Sequence, residues 1–271
     1  MERPPPREAE VTWRDGDVPV SARYGEGYYG DEDALAEKRH VFIEGNGLPA
    51  RFAERATFPS RRSIARPFQI AETGFGTGLN ALAAAIAWRR AGCAGTLRYT
   101  AFEAHPVTAP DMARALAPWP ELAPLAAAMV AAWDRGERVF SLSDPAAGAG
   151  AGGAIEIEVI EGDARETVPG WRGRADAWFL DGFSPARNPE LWEPALISAI
   201  AERCFPAATL STYTAAAKVR AALEAAGLRV ERRPGFGRKK HMTRAWDRRP
   251  RLARDTRCQS FAPDPNPDQP M

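Results

Sequence analysis

Between residues 68 and 92 a short apolar run passes through Glu72-Thr73-Gly74-Phe75-Gly76-Thr77-Gly78 into a stretch of small apolar residues that ends at Gly92. This segment constrains the fold more than any other. A strand that hands over to a helix through alternating glycines belongs to open α/β sheets, where ligands sit outside the carboxyl ends of the strands. Glycine at that place removes the Cβ atoms that would hold a ligand away from the backbone. A tight turn without a ligand would also use glycine, but the flanking strand and helix make three alternating glycines a specific combination.

The alternation continues along the chain. Residues 68–72, 97–103, 155–160, 176–180 and 208–214 read as strands, and residues 79–91, 108–117, 121–133, 189–204 and 215–226 as helices. Strands alternating with helices imply a mostly parallel sheet covered on both faces, the doubly wound, Rossmann-like α/β class. Alternating runs at 228–231 and 242–246 bracket Pro234-Gly235-Phe236-Gly237 and predict an antiparallel hairpin that closes the sheet. Upstream, residues 11–66 are irregular, with Tyr24, Tyr28 and Tyr29 among Gly25, Gly27 and Gly30 and a helical stretch at 33–42. Such a segment cannot bury a core alone, so it is expected to cap the main domain at 67–247. Residues 1–10 read as a disordered lead, 146–153 as a mobile Ala/Gly insertion and 248–271 as a flexible tail.

Composition excludes several classes. At 45% hydrophobic and 26% charged, the chain is an ordinary globular sequence and not a disordered one. Alanine-rich stretches are interrupted well short of a bilayer span, and Met1-Glu2-Arg3-Pro4-Pro5-Pro6 lacks the apolar core of a signal peptide, so a cytoplasmic protein without membrane contact is expected. Cys93, Cys204 and Cys258 stand far apart, and the histidines are His40, His105 and His241, so neither a metal centre nor a disulfide framework is expected. No Gly-x-Ser-x-Gly elbow occurs, and no Gly-Lys-Ser/Thr follows the glycine loop.

The loop spacing, G-x-G-x-G, differs from the dinucleotide fingerprint G-x-G-x-x-G, whose third glycine lies inside the helix. With Glu72 two residues ahead, it resembles the E/D-x-G-x-G-x-G pattern of class I S-adenosylmethionine methyltransferases. That resemblance implies S-adenosyl-L-methionine as cofactor, cradled by Thr73, Gly74, Phe75, Gly76, Thr77, Gly78 and Asn80, with Glu72 helping to hold the cationic methionine part. Glu103 ends the second strand, where a carboxylate can accept both ribose hydroxyls. Asp163, followed by Ala164, comes after the third strand and is placed to accept the adenine amino group. Either acid alone could be a solvated loop acid, but in register after successive strands they compose one site.

Asp181 ends the fourth strand and opens Asp181-Gly182-Phe183-Ser184-Pro185, which looks like a variant of the Asp/Asn-Pro-Pro-Tyr/Phe segment of amine methyltransferases. Nitrogen attack on a sulfonium methyl needs a lone pair, yet an alkylamine is mostly protonated near neutral pH. A carboxylate there can orient the amine and take its proton, so Asp181 is the expected catalytic residue; the alternative is that it only caps the turn that follows.

Residues 71–80, 176–189 and Gly235-Phe236-Gly237-Arg238-Lys239-Lys240, together with 41–52, resemble the methyltransferase domain of the MnmC-type tRNA wobble-uridine modification proteins, a likeness spanning about residues 11–247. The resemblance implies methylation of the amine of 5-aminomethyl-(2-thio)uridine in tRNA, with the anticodon loop as partner and Phe183, Pro185, Phe236, Lys239 and Lys240 on the substrate side. Many family members continue into a flavin-dependent oxidase domain. No second glycine fingerprint occurs before Met271, so the stand-alone form without FAD is expected. A small-molecule or protein amine stays open as acceptor, because cofactor motifs do not determine it. The glycine spacing disfavours an oxidoreductase, and the four acids disfavour a silent RNA-binding module. The net charge of +1 conceals an asymmetry: residues 228–258 carry 12 Lys and Arg against 3 Asp and Glu. Arg232, Arg233, Arg238, Lys239 and Lys240 are expected to meet tRNA phosphates, with a merely solvated charge run as the plain alternative. Phe183, Trp192, Tyr28 and Tyr29 are aromatic faces on which an unpaired base could stack, or else packing residues.

Overall fold

The computed structural model describes residues 8–14, 17–30, 33–58, 65–142 and 153–249, and the expectations for 1–7, 146–152 and 250–271, like Cys258, lie outside them. The N-terminal segment forms a small antiparallel sheet of β1 (Val11–Arg14), β2 (Val18–Ser21) and β3 (Glu26–Gly27). It continues into helix α1 (Ala34–Lys38), a π-helical turn Arg39–Glu44 and helix α2 (Leu48–Thr57). Asp33 caps α1 by accepting from Ala36 N at 3.0 Å. Gly45 lets the π turn lie against the main sheet, since a Cβ there would meet Met242 Cε at 2.9 Å and the Val41 carbonyl at 2.0 Å.

The main sheet has eight strands: β4 (Phe68–Thr73), β5 (Thr96–Glu103), β6 (Val139–Ser141), β7 (Ala154–Glu161), β8 (Ala175–Leu180), β9 (Cys204–Thr212), β10 (Arg229–Pro234) and β11 (His241–Trp246). Their order is β10-β11-β9-β8-β4-β5-β7-β6. The central strands β4 and β8 are buried at every position, as near-continuous apolar runs in parallel sheets are. From β4 the chain runs outward to β5 and β7 on one side, and β8 and β9 lie on the other. This reversal opens a crevice at the carboxyl ends of β4 and β8.

Six helices cover the two faces together with α1 and α2: α3 (Leu79–Arg90), α4 (Ala109–Leu116), α5 (Ala123–Asp134), α6 (Ala164–Gly170), α7 (Pro194–Glu202) and α8 (Ala217–Ala225). On one face, Leu35, Phe42 and Phe52 of the N-terminal segment share a core with Ile70, Leu82, Trp88 and Met129. On the other, Trp178, Val168, Leu196 and Leu223 form the second core. Helix α3 is buried nearly all round, which its alanines permit, because it lies between the sheet and the N-terminal helices. Cys93 and Cys204 are buried free thiols.

Three local expectations change. The fifth strand starts at Cys204, four residues early, because Pro206 and a register break at Ala175/Ala177 interrupt its apolar pattern. The stretches at 121–133 and 189–204 each begin with a 3₁₀ turn, Pro120–Leu122 and Pro189–Trp192. The C-terminal hairpin does more than close the edge: β11 inserts antiparallel between β9 and β10, leaving β10 outermost with Arg229, Arg232 and Arg233 exposed.

Candidate active site

Gly74, Gly76 and Gly78 take φ values of 80°, 54° and 78°, left-handed conformations that glycine alone adopts freely. A Cβ on Gly78 would stand 2.5 Å from Met129 Cε, and one on Gly76 3.2 Å from the Tyr28 ring. The loop is ordered from below by Glu103, whose Oε2 accepts from Phe75 N at 2.8 Å and Gly76 N at 2.9 Å. His105 N donates to Oε1 at 2.7 Å, which leaves one acceptor position on that oxygen. Burial raises the Glu103 pKa, and these three N–H groups oppose the rise without cancelling it.

A cavity of about 750 Å³ lies over the loop, bordered by Gly74, Phe75, Gly76, Thr77, Asn80, Glu103, Asp163, Ala164 and Asp181. Its size, the Cβ-free floor and the carboxylates Glu103 and Asp181 fit a cationic, adenosine-bearing cofactor. Glu72 and Thr73 do not border it, so any help that Glu72 gives in holding the methionine part is indirect. Lying on a strand buried on both faces, Glu72 is 0% exposed and accepts from Asn80 Nδ2 at 2.5 Å and the Tyr99 hydroxyl at 2.7 Å. Asn80 Nδ2 also donates to Asp181 Oδ2 at 2.7 Å, so Glu72 acts on the site through Asn80. The Thr73 hydroxyl donates to the Asp181 carbonyl at 2.9 Å.

Burial, and then the charge of Asp181, hold the Glu72 pKa well above the usual carboxylate range. A carboxyl raised in the folded state binds its proton more tightly there, so its ionisation costs stability as pH climbs from the unfolded value toward the folded one. Glu72→Gln is therefore expected to leave stability unchanged near pH ~4 and to raise it progressively toward pH ~8. Urea unfolding across that range checks this; a deficit that persists at every pH would contradict it.

Asp163 borders the cavity as the N-cap of α6, accepting from Arg165 N at 2.8 Å. Its hydrogen bond with the Arg165 guanidinium lowers its pKa, so it presents an ion pair to the cavity and not a bare carboxylate.

Asp181, at the end of β8, is gripped by a residue without a local sequence signal. Lys38 Nζ of α1 lies 2.5 Å from its Oδ2, with side chains 8% and 14% exposed. Burial pushes the Lys38 pKa down, but the charge and hydrogen bond of Asp181, with Glu37 and Glu72, outweigh it and hold it above the ordinary lysine value. Oδ1 has no partner among the described residues, and the side chain takes no hydrogen bond from the turn that follows. A second cavity of about 330 Å³ shares Tyr28, Lys38, Asp181 and Gly182 with the first and is bordered also by Glu37, Tyr213 and Lys239.

The residues expected on the substrate side part company. Phe183 borders the first cavity, stacked on Tyr24 at 4.5 Å and edge-on to Tyr28 at 5.2 Å. Pro185 is buried, Phe236 packs by His40 with ring centroids 6.0 Å apart, and neither borders either of these two cavities. Lys240 is exposed. Lys239 turns inward to Glu37, contrary to the expectation of a free phosphate contact, because the buried carboxylate and the Tyr213 ring attract its ammonium. Trp192 and Tyr29 are buried packing residues that bond the carbonyls of Phe183 and Ala115. Among the described residues no cluster of His, Cys, Asp and Glu could hold a metal, and no helix is long and apolar enough to cross a membrane.

A family described as S-adenosyl-L-methionine-dependent methyltransferase matches residues 138–248. The chain is 41% identical over 243 residues to the tRNA 5-methylaminomethyl-2-thiouridine biosynthesis bifunctional protein MnmC of Caulobacter vibrioides, covering 89% of this chain and 39% of that protein. It is 40% identical over 245 residues to the protein of the same name from Chromobacterium violaceum, covering 88% and 34%. It thus spans well under half the length of these relatives. The crystal structure of MnmC2 from Aquifex aeolicus shares the fold, with a TM-score of 0.65 at 22% identity over 92% of this chain and 74% of that one. The chain thus carries a stretch that matches the S-adenosyl-L-methionine-dependent methyltransferase family and is a homologue of the MnmC proteins over the part of their length that it matches.

Proposed function

We propose that the protein transfers a methyl group from S-adenosyl-L-methionine to the amine of 5-aminomethyl-(2-thio)uridine at the wobble position of tRNA, giving the 5-methylaminomethyl form. The observation that carries this reading is that Asp181 borders two cavities, one over the glycine loop and one reaching Glu37, Tyr213 and Lys239. The names of the MnmC relatives support the acceptor.

When bound, the cofactor supplies an electrophilic methyl on a sulfonium. The chain's own residues do the rest. The backbone of Gly74 to Gly78 and the open position on Glu103 Oε1 would hold its ribose side, and Asp163 with Ala164 would receive the adenine. Lys38 and Asn80 clamp Asp181 Oδ2, leaving Oδ1 to accept a hydrogen bond from the acceptor amine, aim its lone pair and take the proton it releases. Phe183, Tyr24 and Tyr28 offer aromatic faces beside the cavity for an unpaired base of the anticodon loop. Exposed Arg232, Arg233 and Lys240 at the β10–β11 end suit its phosphates. A tRNA substrate places the enzyme in the cytoplasm.

The test is incubation of the protein with S-adenosyl-L-methionine and tRNA carrying the aminomethyl group, followed by mass spectrometry of the nucleosides. Conversion to the 5-methylaminomethyl nucleoside is expected. Unchanged tRNA would overturn the acceptor assignment.

A further inference from the structure

The second cavity holds a positive charge with no part in the chemistry above. Lys239, in the turn between β10 and β11, folds back so that Nζ lies 2.7 Å from Glu37 Oε1 and 4.4 Å from the centroid of the Tyr213 ring. The two members of the ion pair differ in freedom: the Glu37 side chain is 10% exposed and that of Lys239 46%. Tyr213 is fixed as well, its hydroxyl donating to the Gly182 carbonyl at 2.8 Å. Burial, followed by the charges of Asp181, Glu26 and Glu37, holds that hydroxyl well above its ordinary pKa, so it stays a neutral donor.

A buried carboxylate beside an aromatic face is a receptor for an alkylammonium head. The head of Lys239 is a primary ammonium on a methylene, the same group as a protonated aminomethyl substituent. We propose that Glu37 and the Tyr213 ring form the subsite that receives the acceptor's protonated aminomethyl group, with Lys239 holding its place until a tRNA displaces it. This rests on the acceptor reading above. The subsite shares its cavity with Asp181 and Gly182, so an amine seated there occupies the same cavity as the carboxylate that takes its proton. The rigid members stay, and the lysine that leaves comes free next to Lys240, where it can pair with a phosphate. Selection follows from charge. A uridine with an uncharged substituent cannot replace the ammonium at Glu37 and would leave a buried carboxylate unpaired.

The experiment compares binding of tRNA with and without the aminomethyl group, alongside KM, kcat and affinity for S-adenosylhomocysteine. Glu37→Gln is expected to cut the preference for the amine-bearing tRNA at least tenfold, mostly through KM, with S-adenosylhomocysteine affinity unchanged as proof of an intact fold. Tyr213→Leu should act in the same direction. Lys239→Met, which removes the competitor at a half-exposed side chain, should raise the preference. An unchanged preference in Glu37→Gln, in a protein that methylates this tRNA, would overturn the subsite. If the unaltered protein methylates no aminomethyl tRNA, the acceptor reading fails by itself. Titration of Lys239→Ala with propylammonium then decides the subsite: saturable binding lost in Lys239→Ala/Glu37→Gln supports it, and no binding overturns it.

Discussion

Asp181→Ala is expected to slow methyl transfer by roughly 10²–10⁴-fold, the range for loss of a positioned general base, while affinity for S-adenosylhomocysteine changes little. Single-turnover measurement of methyl transfer reads the first and calorimetric titration the second. The substitution carries a second cost. It strands the ammonium of Lys38, which is only 6% exposed and would lose its carboxylate. Removing one partner of a buried ion pair destabilises by about 3–5 kcal/mol. The double variant Lys38→Met/Asp181→Ala removes both charges and is expected to regain most of that stability without regaining activity. Recovery of fold without recovery of turnover would separate the two roles of the carboxylate; full activity in Asp181→Ala would refute its catalytic assignment. The raised Lys38 pKa sets the pH window of the pair. Its contribution is fully present below the unfolded lysine value of about 10.4 and is lost as pH rises through the higher folded value.

Asp176→Ala, at the opposite end of β8, is expected to cost about 2–4 kcal/mol, read from the urea midpoint at constant slope. The Asp176 carboxylate takes both terminal nitrogens of Arg66, at 2.9 and 2.8 Å, and the buried amide of Gln69 at 3.0 Å. Arg66 is 44% exposed and can be resolvated, so most of the loss comes from the amide left without a partner. Arg51 of α2 donates to the Asp176 carbonyl at 3.0 Å and to Thr209 Oγ1 at 2.8 Å, which ties the N-terminal helices to the same strand end. Loosening that corner should speed proteolysis of residues 33–58 ahead of the rest. Because α1 carries Lys38 and Glu37, the loss should reach the active site, where Lys38 meets Asp181 across 143 positions of sequence. Unfolding at the wild-type midpoint would exclude this latch.

The strands and helices that could be read directly are those whose burial is periodic and local. The run before the glycines, the alanine-rich helix after it and the paired runs of the C-terminal hairpin each carry their pattern within about a dozen residues. Elements with weak local patterns escaped: β6, three residues long with two exposed, α6 with Pro169 inside it, and the β1–β3 sheet. In the site, Glu103 and Asp181 were legible because Glu103 ends, and Asp181 follows, a strand that runs to the crevice. Asp163 was legible as a border residue, while its ion pair with Arg165, two residues on, escaped notice.

By itself, the amino-acid sequence determined the doubly wound sheet, the glycine loop at its crevice and the acids that follow successive strands, because these depend on spacing along one chain segment. Only the tertiary structure decided what each acid faces. Glu72 ends sealed under Asn80, Asp181 is clamped by Lys38, and Glu37 is matched with Lys239 across 202 positions. Which partner a buried charge finds is decided by the packing that excludes water around it, and no local pattern encodes a contact made between residues so far apart.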